Sequence, residues 1–121
     1  MASVFANAGK AILTNRLKGS GTEPSFVGIG TGAGTAAIAD TTLFTEVETR
    51  VAGTSTQQTV TVTNDTYRVV GTIAITGTRG VTNAGLLDAV TSGNLFVKGD
   101  FTVINLTAGD SLQMTIQITF S

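Results

Sequence analysis

The run Ser111-Leu112-Gln113-Met114-Thr115-Ile116-Gln117-Ile118-Thr119-Phe120 decides the fold. Leu112, Met114, Ile116, Ile118 and Phe120 alternate with Ser111, Gln113, Thr115, Gln117 and Thr119. A period of two puts the apolar set on one face of a strand and the polar set on the other. That is the pattern of a half-buried antiparallel strand.

Upstream segments repeat the pattern. Tyr67 to Thr76 places Tyr67, Val69, Gly71, Ile73 and Ile75 on one face. Gln58 to Thr63 also alternates, and the turn pair Asn64-Asp65 joins the two as a hairpin. Phe44 to Ala52 reads as a strand with Glu46, Glu48 and Arg50 on one face and Val47 and Val51 on the other. Phe26-Val27-Gly28-Ile29-Gly30 is a short strand after Pro24, and Thr31 to Thr41 reads as a flexible loop. Gly77 to Asn83 reads as a turn or bulge, followed by the apolar run Ala84 to Ala89. Ser92-Gly93-Asn94, Lys98-Gly99-Asp100 and Ala108-Gly109-Asp110 read as turns around Leu95 to Val97 and Phe101 to Leu106. Residues 3–18 carry a helical stripe of Phe5, Ala8, Ile12 and the stem of Arg16, capped by Ser3 and ended by Gly19 and Gly21. Seven or eight short strands with regular turns predict a mainly β fold. The expected form is one antiparallel β-sandwich of the jelly-roll type over residues 1–121, with residues 1–20 as a helical N-terminal arm.

Composition narrows function. The 121 residues include no Cys, His or Trp and one Pro. Thiolate nucleophiles, Ser-His-Asp triads, zinc fingers and disulfides are therefore closed off. Net charge is −1, without the basic excess that nucleic-acid binding uses. No stretch approaches the roughly 20 apolar residues of a membrane span. The N-terminal segment has no basic region before its apolar residues, so secretion by a signal peptide is not expected. Partners of both kinds, nucleic acid and membrane, are set aside. Only 12% of residues are charged, against about 25% in ordinary domains. Thr, with 23 copies, fills solvent-facing strand positions without charge. Such a surface repels like copies weakly and suits a subunit covered by neighbours.

No chemical motif survives close reading. Gly28 to Gly34 lacks the Gly-x-Gly-x-x-Gly spacing and a following helix, so no phosphate or dinucleotide cofactor is expected. Glu46 and Glu48 match the paired carboxylates of glycosidases only in residue type, and Arg50 beside them reads as an ion-pair partner. Asp88, Asp100 and Asp110 lie in turns without a calcium-loop spacing. The chain is read as a non-enzyme without cofactor or metal.

Particular residues carry a resemblance. They are Phe26 to Gly32, Asp40-Thr41-Thr42-Leu43-Phe44-Thr45-Glu46 with Arg50, and Thr82 to Ala89. Gly93 to Val97, Phe101 to Leu106 and Ala108 to Leu112 complete the order. The series resembles small structural proteins of tailed bacteriophages. That resemblance implies a virion component assembled in the host cytoplasm. It would be a capsid decoration (cement) protein bound to the major capsid protein or other virion proteins. A tail, neck or fibre component is the alternative, and a carbohydrate-binding adhesion module is a further one. A homo-oligomer, dimer or trimer, is expected. Candidate contacts are Phe5, Ile12 and Arg16 on the helix, Thr31, Ala33 and Ile38 on the loop, and Arg50, Arg68 and Arg79.

Overall fold

The alternating segments become strands and the chain is mainly β. The computed structural model describes residues 1–121. The elements run β1 (Ser3–Phe5), α1 (Asn7–Leu17), β2 (Phe26–Gly30), β3 (Glu46–Ala52) and β4 (Thr54–Gln58). They continue with β5 (Thr66–Ala74), β6 (Arg79–Leu87), β7 (Leu95–Leu106) and β8 (Ser111–Thr119). Two antiparallel sheets form, β1-β7-β6-β2-β3 and β4-β5-β8. They enclose a core in which Val27, Ile29, Val81, Leu86 and Phe96 of the larger sheet meet Val69 and Ile73 of the smaller. Each such side chain contributes about 1.5–3 kcal/mol on full burial.

The result is a β-sandwich with one N-terminal helix, but its wiring is not that of a jelly roll. Chain neighbours β2–β3, β4–β5 and β6–β7 pair within a sheet, and the sheets hold five and three strands. A jelly roll interleaves eight strands as two Greek keys. Here β3 and β4 are separated only by Gly53, where the chain passes from one sheet to the other. A side chain at Gly53 would meet Val69 Cγ1 and the Val70 carbonyl. The corner therefore needs glycine for close approach.

Several boundaries differ from the sequence reading. Ser3 does not cap a helix. It lies in β1, opposite Gly99, and the cap of α1 falls at Ala6 without a side-chain bond. The first part of the N-terminal segment packs on the sandwich, where Ala6 and Ile12 are buried and Phe5 meets Phe96 edge-to-face at 5.2 Å, while residues 14–20 are exposed. The strand expected over Gln58–Thr63 is instead β4, ending at Gln58. Beyond it, Asp65 accepts bonds from the backbone N–H groups of Val60, Thr61 and Val62, which curls the segment into a loop. The expected turn over Gly77–Asn83 is largely the first half of β6, with a register shift between Val81 and Asn83. Lys98-Gly99-Asp100 is no turn either. It lies inside the 12-residue β7, where Gly99 faces both Ala84 and Ser3. Glu48 parts from Glu46 and Arg50 because its φ is +63°, at an irregularity opposite Gly28.

Gly53→Ala should cost about 1–3 kcal/mol by overfilling the corner. Urea unfolding would measure it, and a variant as stable as the parent would show that the corner has room.

Candidate interaction surface

The middle of the larger sheet is covered on both faces, and its outer cover is the segment the sequence marks as a loop. Val27 and Ile29 point inward to the core, so Gly28 and Gly30 lie on the outer face. Gly85 is the register partner of Gly28, and Asn83 of Gly30. Leu43 and Phe44 cross directly over this bed. A side chain at Gly30 would collide with the Phe44 carbonyl, and one at Gly85 would press on Leu43. The glycine run thus admits a second layer of backbone rather than a phosphate. Leu43, Leu87, Leu95 and Ala6 form a small apolar cluster of their own beneath it.

Polar side chains on the same face clasp the crossing segment. Asn83, wholly buried, accepts a bond from the Phe44 N–H at 3.0 Å and donates to its carbonyl at 3.1 Å. Thr82 donates to the Gly32 carbonyl. Lys98 is 2% exposed; its Nζ lies 2.9 Å from Asp40 Oδ2, 2.8 Å from the Thr42 carbonyl and 3.2 Å from the Phe44 ring centre. The ammonium is thus paired, hydrogen-bonded and stacked, which is what a buried charge requires. Asp100 accepts bonds from the N–H groups of Ala36 at 2.7 Å and Ala2 at 3.1 Å. The Asn7 N–H donates to the Ile38 carbonyl at 2.8 Å. Residues 31–45 therefore form a fastened strap, not the flexible loop expected. Every buried side-chain polar atom has a partner.

The ionisation of the clasp follows from these bonds. The Ala37 N–H, then Lys98, holds Asp40 below its ordinary value of 3.8. The Ala36 N–H, then that of Ala2, does the same for Asp100. Glu48 is lowered by the backbone N–H and hydroxyl of Thr76 and then by Arg79. Burial, then Glu23, pushes the Tyr67 hydroxyl above the usual range.

No family model, curated protein or solved structure matches the chain. Function is therefore read from the surface itself. The strap displays Ala33, Ala37, Ile38 and Ala39 to solvent, with Ile38 56% exposed. Thr31 sits at its root, where its N–H donates to the Thr45 carbonyl. The fold joins the two segments singled out by sequence, the N-terminal residues and the strap, through Asp100 and the Asn7–Ile38 bond.

Of the other expected contact residues, Ile12, Phe5 and Arg50 serve the interior. Ile12 is in the core, and Phe5 is half-buried against it. The Arg50 side chain is 8% exposed and paired with Glu46 at 2.7 Å. It also donates to the Ala89 and Ser92 carbonyls, so it anchors the β6–β7 loop. Arg79 is paired with Glu48 at 3.1 Å. Arg16, which donates to the Gly21 carbonyl, is exposed, and Arg68, which donates to Gln117, is half-exposed; neither has an ionic partner. Asp88, Asp100 and Asp110 each accept bonds from nearby backbone N–H groups. No three acidic side chains converge.

Asp40→Ala strands the Lys98 charge and should cost about 2–4 kcal/mol, less than a fully enclosed pair because Asp40 keeps some solvent contact. Lys98→Met should cost less, since it removes the charge with the pair. Equal losses in chemical denaturation would count against this assignment. The clasp is also acid-labile. Asp40 and Asp100 have folded pKa values below their unfolded ones, so their stabilisation is complete above about pH 5 and is lost as pH falls through the depressed values. The Ala36 and Ala37 amide resonances should hold constant from neutral pH to about pH 5 and move only below about pH 4. Movement near neutrality would contradict that origin.

Proposed function

We propose that the chain is a virion structural protein, a capsid decoration (cement) subunit that docks on the major capsid protein through the strap. The observation that carries this reading is the strap itself. Its small, uncharged side chains are held in one geometry by Lys98, Asp100 and Asn83. A surface ordered before contact loses little conformational entropy on docking. Ala33, Ala37 and Ala39 allow close approach of a flat partner, and Ile38 supplies an apolar anchor.

The charge distribution supports a binding role. All eight Asp and Glu side chains accept bonds within the fold: Glu23 from Tyr67, Glu46 from Arg50, and the other six as described. A ligand that binds only the assembled, expanded shell stabilises it by mass action. Many modest contacts over a repeated lattice add through avidity. The resemblance to small phage structural proteins points the same way. Phe120 is the one exposed aromatic, so a sugar-stacking role has little support.

Ile38→Asp and Ala33→Glu should each weaken co-sedimentation with expanded capsids about tenfold while leaving the melting temperature within a few degrees. Undiminished capsid binding by both variants would overturn the assignment to the strap. Retention of the labelled chain on tails and not heads would move the protein to the tail-associated alternative.

A further inference from the structure

The geometry points to β8 as the docking strand for a second copy of this chain, paired antiparallel about a two-fold axis at Thr115. This goes beyond the virion reading and does not depend on it.

A two-sheet sandwich has four edge strands, and three are blunted here. β1 has three residues. β3 carries an irregularity and the charged residues Glu46, Glu48 and Arg50. β4 has five residues and ends in the loop gathered by Asp65. β8 is different. It pairs with β5 over nine consecutive residues without a shift, and it contains no charged residue, proline or glycine. Those are the devices by which monomeric proteins guard an edge.

The free backbone groups can be assigned. The Ile75 N–H donates to the Asp110 carbonyl, and the Phe120 N–H to the Asp65 carbonyl. Both lie on the β5–β8 register, just beyond its two ends. Even-numbered residues of β8 therefore direct their N–H and C=O groups at β5. Ser111, Gln113, Thr115, Gln117 and Thr119 direct theirs outward, since hydrogen-bonded and non-bonded pairs alternate in an antiparallel ladder.

The strand is also close to a palindrome. Reversed about Thr115, Ser111 meets Thr119, Leu112 meets Ile118, Gln113 meets Gln117, and Met114 meets Ile116. Apolar residues face apolar ones on the inner side, and neutral polar residues face neutral polar ones outside. No like charges oppose each other. The outward-directed residues coincide in this register, so about ten inter-chain hydrogen bonds can form. A two-fold contact requires such self-complementarity. Beside the free edge lies an apolar groove of about 540 Å³ between β8 and the strands β1 and β7, lined by Val4, Phe5, Phe101, Met114 and Ile116. A second β8 would carry Ile118, Ile116 and Met114 of the partner subunit over this opening. The product is one continuous six-stranded sheet.

Light scattering on the purified chain, in the absence of capsids, should give twice the 12.3 kDa chain mass at high micromolar concentration. Thr115 is exposed on the outer face, so a charge there leaves the subunit folded. Thr115→Lys should weaken the dimer about tenfold, and mixing it with Thr115→Glu should restore a one-to-one dimer. Circular dichroism should show both variants folded. Thr115→Cys should oxidise to a disulfide-linked dimer, because hydrogen-bonded antiparallel partners lie about 5.5 Å apart at Cα, within disulfide reach. Thr56→Cys on β4 should not. A monomeric or trimeric mass overturns the proposal. So does a dimer that ignores both charge variants and fails to cross-link through Thr115→Cys.

Discussion

β2, the second half of β6 and the start of β7 at Leu95–Lys98 are enclosed on both faces, and the molecule is organised by the difference between their two covers. Inward, Val27, Ile29, Leu86 and Phe96 meet a second sheet at ordinary side-chain distance. Outward, glycines replace side chains and a strap of backbone lies directly on the sheet. Backbone brought that close to a sheet delivers N–H and C=O groups that have lost water, and each needs a partner. Asn83, Thr82, Lys98 and Asp100 supply them. The buried Asn83 and Lys98 are therefore consequences of the glycines, and the order of the strap is a consequence of both.

The same arrangement explains the exterior. Ionic groups that would ordinarily hydrate the surface are engaged in holding loops: Asp65 at 60–62, Arg50 at 89–92, Asp100 at 2 and 36. What faces water is rich in Thr, Ala, Gln and Ser, with few charges and scattered apolar side chains such as Leu17, Val62 and Val103. That exterior opposes association weakly. It is compatible with the proposed covering of the strap and of the β8 edge.

Much of the fold was legible. The alternation over 111–119 and 67–75 marks β8 and β5 almost to the residue, because their two faces meet different media. β7 was not legible at Lys98-Gly99-Asp100. That tripeptide has the composition of a turn, yet both faces of the strand there are enclosed, and the charges are neutralised by Asp40 and by the N–H groups of Ala2 and Ala36. A charged residue inside an otherwise apolar run, Phe96-Val97-Lys98, was the available signal. Gln58–Thr63 failed for the opposite reason. Its alternation is real, but Asp65 offers the backbone a local partner that competes with the sheet.

By itself the sequence determined the β class, the antiparallel strands with one wet face, the absence of thiol and imidazole chemistry, and the low surface charge. Those properties are local: they depend on period, residue type and count. Only the tertiary structure decided that Ile12 and Arg50 belong to the interior, that residues 31–45 are fastened, and that β8 rather than β1, β3 or β4 is the unguarded edge. Each of these depends on pairings between residues far apart in the chain, and no local pattern encodes which distant partner a side chain or a strand edge will meet.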